Sequence, residues 1–295
     1  MKLFWKNLGL FFGLPLIIAL AGSLALGYFN QQTMAHYTLP AGVTAVVMGD
    51  SHAELAIDDQ HWPQTINLAN TSESFLFTYY KLQPLLAHNP QIRRVYLSYG
   101  YHSLSGYYDE VLSGKPAKDV ATRYFYILPA PVRQHLLLSN RNALLLTLRN
   151  IGLNGIKNLV AHKKPMLGQY ENDFPASTMV PEAMIRRVKG QFYQDGKLIP
   201  FSENNISYLQ RIVRLCKERH VDLVMLSTPV HPAYEARVPE TYKQKYREVA
   251  QGLTLREFHN LLLPDSSFTP DGDHVSALGA QLVTAALQKT DSTAR

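Results

Sequence analysis

Val43-Thr44-Ala45-Val46-Val47-Met48-Gly49-Asp50-Ser51-His52 begins with a β-rich apolar run that Gly49 halts, and Ala53 to Ile57 can start a helix directly afterwards. A short apolar run bounded by a turn residue reads as a buried strand. The same pattern recurs outward from it. Thr65 to Ala69 reads as a short strand, Phe75 to Ala87 as a helix and Arg94 to Ser98 as a further strand. Late in the chain Ile206 to Arg219 has helical periodicity and leads into Asp222 to Ser227, a strand that Thr228 and Pro229 end. Strands alternating with helices predict βαβ units, hence an α/β domain over 43–295 with a mostly parallel sheet and helices on both faces.

The alternation breaks in the middle. Leu136 to Leu159 is leucine-rich with helical spacing, punctuated by Gly152 and Gly155, so a helical insertion over about 117–190 is expected to lie across the sheet. Its simplest role is packing. A lid or membrane-facing cap is the alternative, with Arg141, Arg149, Lys157, Lys163 and Lys164 facing lipid headgroups or polymer.

Leu8 to Gly27 is almost wholly apolar and uncharged, follows Lys2 and Lys6, and has the length of about 20 residues that crosses a bilayer as a helix. Basic residues before it and a large domain after it predict an inner-membrane anchor over 1–29 with the domain outside, in the periplasm or extracellular space. Tyr28 and Phe29 sit where an interfacial aromatic belongs, and 30–42 reads as a stalk. A cleaved signal peptide is the rival, since Ala21 to Gly27 offers small residues for cleavage.

The net charge of +6 is compatible with an anionic membrane surface or an acidic polymer. No uninterrupted basic run interleaved with aromatics points to nucleic acid. The single cysteine, Cys216, rules out an intramolecular disulfide and any cysteine-rich zinc site.

A serine at a strand-to-helix turn is exposed at the carboxyl edge of a parallel sheet, where backbone N–H groups favour a developing oxyanion. Ser51 has that placement. The second half of a possible site is Phe268-Thr269-Pro270-Asp271-Gly272-Asp273-His274, just ahead of a helix. An aspartate three residues before a histidine can hold one ring nitrogen and leave the other facing a nucleophile. Nothing else is tied by spacing to Asp271, Asp273 and His274 to make a metal site, and serine–histidine chemistry calls for no cofactor.

Together these two blocks resemble the SGNH (GDSL-like) hydrolase superfamily, in which a Gly-Asp-Ser block supplies the nucleophile and a late Asp-x-x-His block the base. Ser51-His52-Ala53-Glu54, Ile57-Asp58, Ile66-Asn67-Leu68-Ala69 and Val95-Tyr96-Leu97-Ser98-Tyr99 resemble a membrane-anchored bacterial group of it, and the likeness spans essentially the whole domain. The resemblance implies a flavodoxin-like three-layer sandwich with Ser51 as nucleophile, His274 as base and Asp271 as orienting acid, Asp273 being the competing orienter. The family's second-block glycine and its Gly-x-Asn-Asp block are replaced here by Asn67-Leu68-Ala69-Asn70-Thr71-Ser72 and Gly100-Tyr101-His102-Ser103. His102, Asn70 and Ser72 are therefore the candidate oxyanion groups, and His231 and Tyr234, after a late strand, are candidate pocket residues.

By this resemblance the expected function is an extracytoplasmic serine esterase or O-acyltransferase that adds or removes acetyl groups on an envelope or secreted polysaccharide. Its partners would be the membrane, the polysaccharide or another acyl acceptor, and a membrane-bound O-acyltransferase or polysaccharide synthase. A lipid esterase or thioesterase and a non-catalytic envelope assembly module are the alternatives.

Overall fold

A computed structural model describes residues 1–162, 164–258 and 261–292, so Lys163 of the insertion lies outside the described residues. The chain runs α1 (Lys2–Ala35), β1 (Ala45–Met48), α2 (Ser51–Ala56), β2 (Thr65–Asn67), α3 (Phe75–His88) and β3 (Arg94–Ser98). Five helices follow: α4 (Gly114–Asp119), α5 (Ala121–Tyr124), α6 (Ala130–Ser139), α7 (Leu144–Val160) and α8 (Pro181–Phe192). The chain then forms a small hairpin, β4 (Tyr193–Gln194) with β5 (Lys197–Leu198), before α9 (Glu203–Glu218), β6 (Asp222–Ser227), α10 (Pro232–Glu235), α11 (Glu240–Ala250), β7 (Thr254–Glu257) and α12 (Ala277–Ser292).

The five longer-range strands form one parallel sheet in the order β2-β1-β3-β6-β7. Side chains alternate across it, as the two-residue period of a strand requires. Val46, Met48, Val95, Leu97 and Met225 join the core beneath α3, α9 and α11, while Val47, Tyr96, Val224 and Leu226 join the core beneath α2 and α12. Helices therefore cover both faces. The order reverses between β1 and β3, whose carboxyl ends open a crevice of the kind where α/β sheets bind ligands.

Gly49, which ends β1, has φ +115, and a Cβ there would sit 2.6 Å from the Ser98 Cβ. Only glycine lets β1 and β3 close at that height while the chain turns into α2.

One expectation differs from the structure. The segment over 30–42 is no free stalk: α1 continues to Ala35, Asn30 and Met34 are buried, and the Asn30 amide donates to the Gly155 carbonyl at 3.2 Å. Beyond the helix, the Leu39 N–H donates to Asn89 Oδ1 at 2.6 Å, and the Asn89 amide donates to the Tyr37 carbonyl at 2.8 Å. Leu136 to Leu159 is helical, as the insertion was expected to be, and contains more than one helix. It is divided between α6 and α7, and Gly155 lies inside α7 because the Tyr126 ring comes so close that a Cβ would meet it at 2.5 Å. Among the described residues, one helix is long and apolar enough to cross a membrane, with its apolar span over Gly9–Met34.

Candidate active site

Ser51 is the first residue of α2, placed there by the turn at Gly49 and by Asp50, whose carboxylate accepts the His52 N–H at 3.1 Å. The same carboxylate accepts the Ser98 hydroxyl at 2.7 Å and the Tyr108 hydroxyl at 2.7 Å, and lies 2.8 Å from His102 Nε2. Burial alone would raise the Asp50 carboxyl, but the adjoining imidazoles and these donors hold it far below the usual carboxylate range. It is a satisfied buried anion directly behind the serine.

His274 reaches Ser51 from the loop ahead of α12. Its Nε2 lies 2.8 Å from Ser51 Oγ, the separation at which an imidazole can take a hydroxyl proton. Burial lowers its pKa to about 4, the Asp273 charge opposing that shift and the His52 and Arg187 charges adding to it. At neutral pH the ring is uncharged, as a base must be.

Asp271 and Asp273, the two acids ahead of His274, are held differently. Asp271 Oδ1 accepts the Thr269 hydroxyl at 2.6 Å and the Asp273 N–H at 3.1 Å, so this carboxylate closes the turn. A short acidic side chain bonding the backbone two residues on is ordinary turn chemistry, and the second oxygen, Oδ2, lies 4.0 Å from Arg187 Nε. Gly272, at φ +69, then reverses the chain and turns Asp273 inward. Fully buried, Asp273 has Oδ2 3.9 Å from His274 Nδ1 and Oδ1 3.3 Å from His52 Nε2. Arg187 Nε and Gln191 Nε2, one turn apart on α8, donate to its Oδ2 at 2.6 and 2.9 Å. Although burial alone would raise it, the His52, His274 and Arg187 charges keep this carboxyl ionised far below its ordinary range.

His52 completes the centre. Its ring stacks on His102 at 4.1 Å and tilts against His274 at 4.6 Å. Burial disfavours its charged form, but Asp273 and Asp50 outweigh that and raise its pKa, whereas burial and the His52 charge lower that of His102. Two buried carboxylates, Asp50 and Asp273, thus face the Arg187 guanidinium and the His52 ring, whose charged form they favour. The atoms of His52, His102 and Asp273 that could hold a metal ion lie within 4.8 Å of one another. His102 Nε2 is engaged by Asp50, and Asp273 Oδ2 by Arg187 and Gln191, whereas His52 Nε2 and Asp273 Oδ1 have no hydrogen-bond partner among the described residues.

The remaining candidates have other partners. His102 has its Nε2 committed to Asp50 and is part of the support behind Ser51. The Asn70 amide donates to the Pro165 carbonyl at 2.6 Å and accepts from Arg123, which fastens this loop to the insertion. Ser72 takes a left-handed turn conformation at φ 59. His231 caps α10, its Nδ1 accepting the Ala233 N–H at 3.1 Å, and lies 3.3 Å from Asp265. Tyr234 is buried and donates to Gln191 Oε1, so it acts on Asp273 through Gln191.

His52, Arg187 and Gln191 carry roles that the motif blocks do not announce. Adjacency to Ser51 was the available signal for His52. For Arg187 and Gln191 it was their spacing of four on a helix whose opposite side is polar.

Beside the site, one helical turn along α2 from Ser51, a cavity of about 460 Å³ separates the sheet edge from the insertion. Glu54, Asn70, Arg123, Lys157, Lys164 and Glu171 are among its lining residues.

No family model and no curated protein matches the chain. Among solved structures, one described as "a putative platelet activating factor from Streptococcus pneumonia" aligns over 94% of this chain and 96% of its own, with 13% identity and a TM-score of 0.41. That likeness is too distant to specify an activity. The fold and the site described above define an α/β protein built on a five-stranded parallel sheet, with an apolar N-terminal helix.

Proposed function

We propose that this protein is a serine esterase or O-acyltransferase of the SGNH type, anchored by α1 with its domain on the outer side of the cytoplasmic membrane. The observation that carries the reading is the 2.8 Å contact between Ser51 Oγ and His274 Nε2, joining two blocks 223 residues apart at the carboxyl edge of the sheet. In this mechanism His274 takes the Ser51 proton as Oγ attacks an ester carbonyl, then returns it to the departing alcohol. Water or a sugar hydroxyl, deprotonated by the same ring, resolves the acyl-enzyme. Asp273 stabilises the imidazolium that forms in each half-reaction, taking the part that the family resemblance assigned to Asp271.

The adjoining cavity favours a glycan over a lipid tail as the acyl acceptor. Its charged and amide lining can hydrogen-bond hydroxyls and sugar carboxylates, whereas an acyl chain is best held by an apolar wall. Acetyl transfer to or from an envelope polysaccharide is the reaction this supports best.

Fluorophosphonate should label the protein stoichiometrically on Ser51, and Ser51→Ala should lose both the label and turnover of an acetyl ester, by a factor on the order of 10⁶ in kcat. Acetyl transfer to polysaccharide, followed by mass spectrometry, covers the case of an enzyme that excludes water. Labelling that persists in Ser51→Ala would remove the mechanism.

A further inference from the structure

Helix α7 has its two sides reversed relative to an ordinary surface helix. The side turned to the protein carries Thr147, Ile151, Gly155 and Asn158, all buried, while Leu145, Leu148, Leu153, Ile156 and Val160 face outward. Leu145 is 84% exposed and Val160 79%, values normally reserved for charged side chains. Amphipathic helices of water-soluble domains place such a stripe against the core, and a contiguous apolar surface of this kind marks a contact with something other than water.

Position and charge identify the contact. The inner side of α7 is fastened to α1 in the C-terminal third of its apolar span: the Asn30 amide bonds the Gly155 carbonyl, and Tyr126 wedges against both Gly27 and Gly155. Tyr28 and Phe29, exposed between Gly27 and Asn30 at that junction, are aromatics of the sort that settle at a membrane–water interface. From Val120 to Tyr170 the sequence contains no aspartate or glutamate, while Arg141, Arg149 and Lys157 are exposed along α7 or at its start. An aliphatic face edged by cations and free of acids matches a bilayer surface with anionic headgroups. Arg149 falls on the aliphatic side, where its stem can be buried while the guanidinium reaches a phosphate.

We infer that α7 lies in the plane of the membrane interface, with Leu145, Leu148, Leu153, Ile156 and Val160 sunk into the acyl region, so that the insertion seats the domain on an anionic bilayer. This rests on the reading of α1 as a membrane span. The insertion thereby places the mouth of the site and the cavity beside it at a set height above the headgroups.

The test uses the full chain with Cys216→Ala in nanodiscs of phosphatidylcholine and phosphatidylglycerol. Nitroxide labels are attached in turn at Leu145→Cys, Leu153→Cys, Val160→Cys, Ile17→Cys in α1 and Gln244→Cys on exposed α11. At 145, 153 and 160 the label should collide with oxygen several-fold more than with a water-soluble nickel chelate, as at 17, with the preference reversed at 244. If 145, 153 and 160 behave like 244 while 17 reports lipid, the seat is refuted and the anchor stands. If 17 also reports water, the anchor reading fails with it. Labels at 145, 153 and 160 that are shielded from both reagents would show a protein, a second copy or another chain, covering this face, which equally overturns the proposal.

Discussion

The sheet edge and the outer face of the insertion break the usual rule of burial in opposite senses. Around Ser51 the protein seals Asp50, Asp273 and His52 inside with half-buried Arg187 at their edge, while along α7 it turns leucine, isoleucine and valine outward. The first arrangement is costly unless charges find partners, and hydrogen bonds supply them to Asp50 and to Asp273 Oδ2, while Asp273 Oδ1 has only the 3.3 Å contact with His52 Nε2. The second is costly only in water. One exception therefore points to chemistry and the other to a change of solvent, and the two have different signatures: pairing in the first, absence of acids in the second.

The largest expected effect tests the charged side of this contrast. Asp273→Asn should lower kcat/KM by a factor approaching the ~10⁴ seen when the acid of a serine–histidine–acid triad is neutralised, whereas Asp271→Asn should cost less than about tenfold. Steady-state kinetics on an acetyl ester checks both. The reverse ranking would return the orienting role to Asp271 and make Asp273 a purely structural anion.

A smaller effect is expected at the seam where the two regions meet. Lys81 and Glu73 form a fully buried ion pair at 2.5 Å, and Tyr124, from the insertion, donates to the same carboxylate. Burial raises the Glu73 carboxyl and lowers the Lys81 ammonium, so each depends on the other for its charge. Lys81→Met leaves the carboxylate buried without its cation and should destabilise the fold by about 3–5 kcal/mol in denaturant titrations. A change below about 1 kcal/mol would mean that the seam opens to water and that the insertion moves independently of the sheet.

The smallest effect is a displacement in pH. A base is competent above its pKa, and His274 is lowered to about 4, so kcat/KM should rise through about pH 4 and be level by neutrality. In an Asp273→Asn variant the limb should move to lower pH, because the lost charge is one that holds the His274 pKa up. A limb near 6.5 in the wild type would show His274 in contact with bulk water and the sealed centre open.

Much of the sheet was legible because buried parallel strands are short apolar runs with sharp ends. Arg94–Ser98 and Asp222–Ser227 read directly, and Ser51 and His274 fall in the two blocks that the structure brings to 2.8 Å. Where contacts replaced pattern, reading failed. Thr254–Glu257 is an edge strand with charged residues and no apolar run, and 30–42 looks like linker until Asn89 is seen to hold both Tyr37 and Leu39. That Asp271 bonds its own turn while Asp273 lies beside the imidazole is a matter of hydrogen bonds two residues apart that spacing to His274 does not encode. The same holds for α7, whose leucine spacing announces an amphipathic helix without saying which side is wet.

The run from α1 into the domain also sets how far the serine can travel. A flexible linker over 30–42 would give the domain roughly 20 Å of play, enough to sweep a hemisphere and raise the local concentration of any site within it. With Asn30 bonded to Gly155 and Leu39 to Asn89, that freedom is gone. On the anchored reading the enzyme is a fixed tool at one height, and the substrate has to be fed past it. Its reach would then be set by the length and flexibility of what comes to it, and not by a tether of its own.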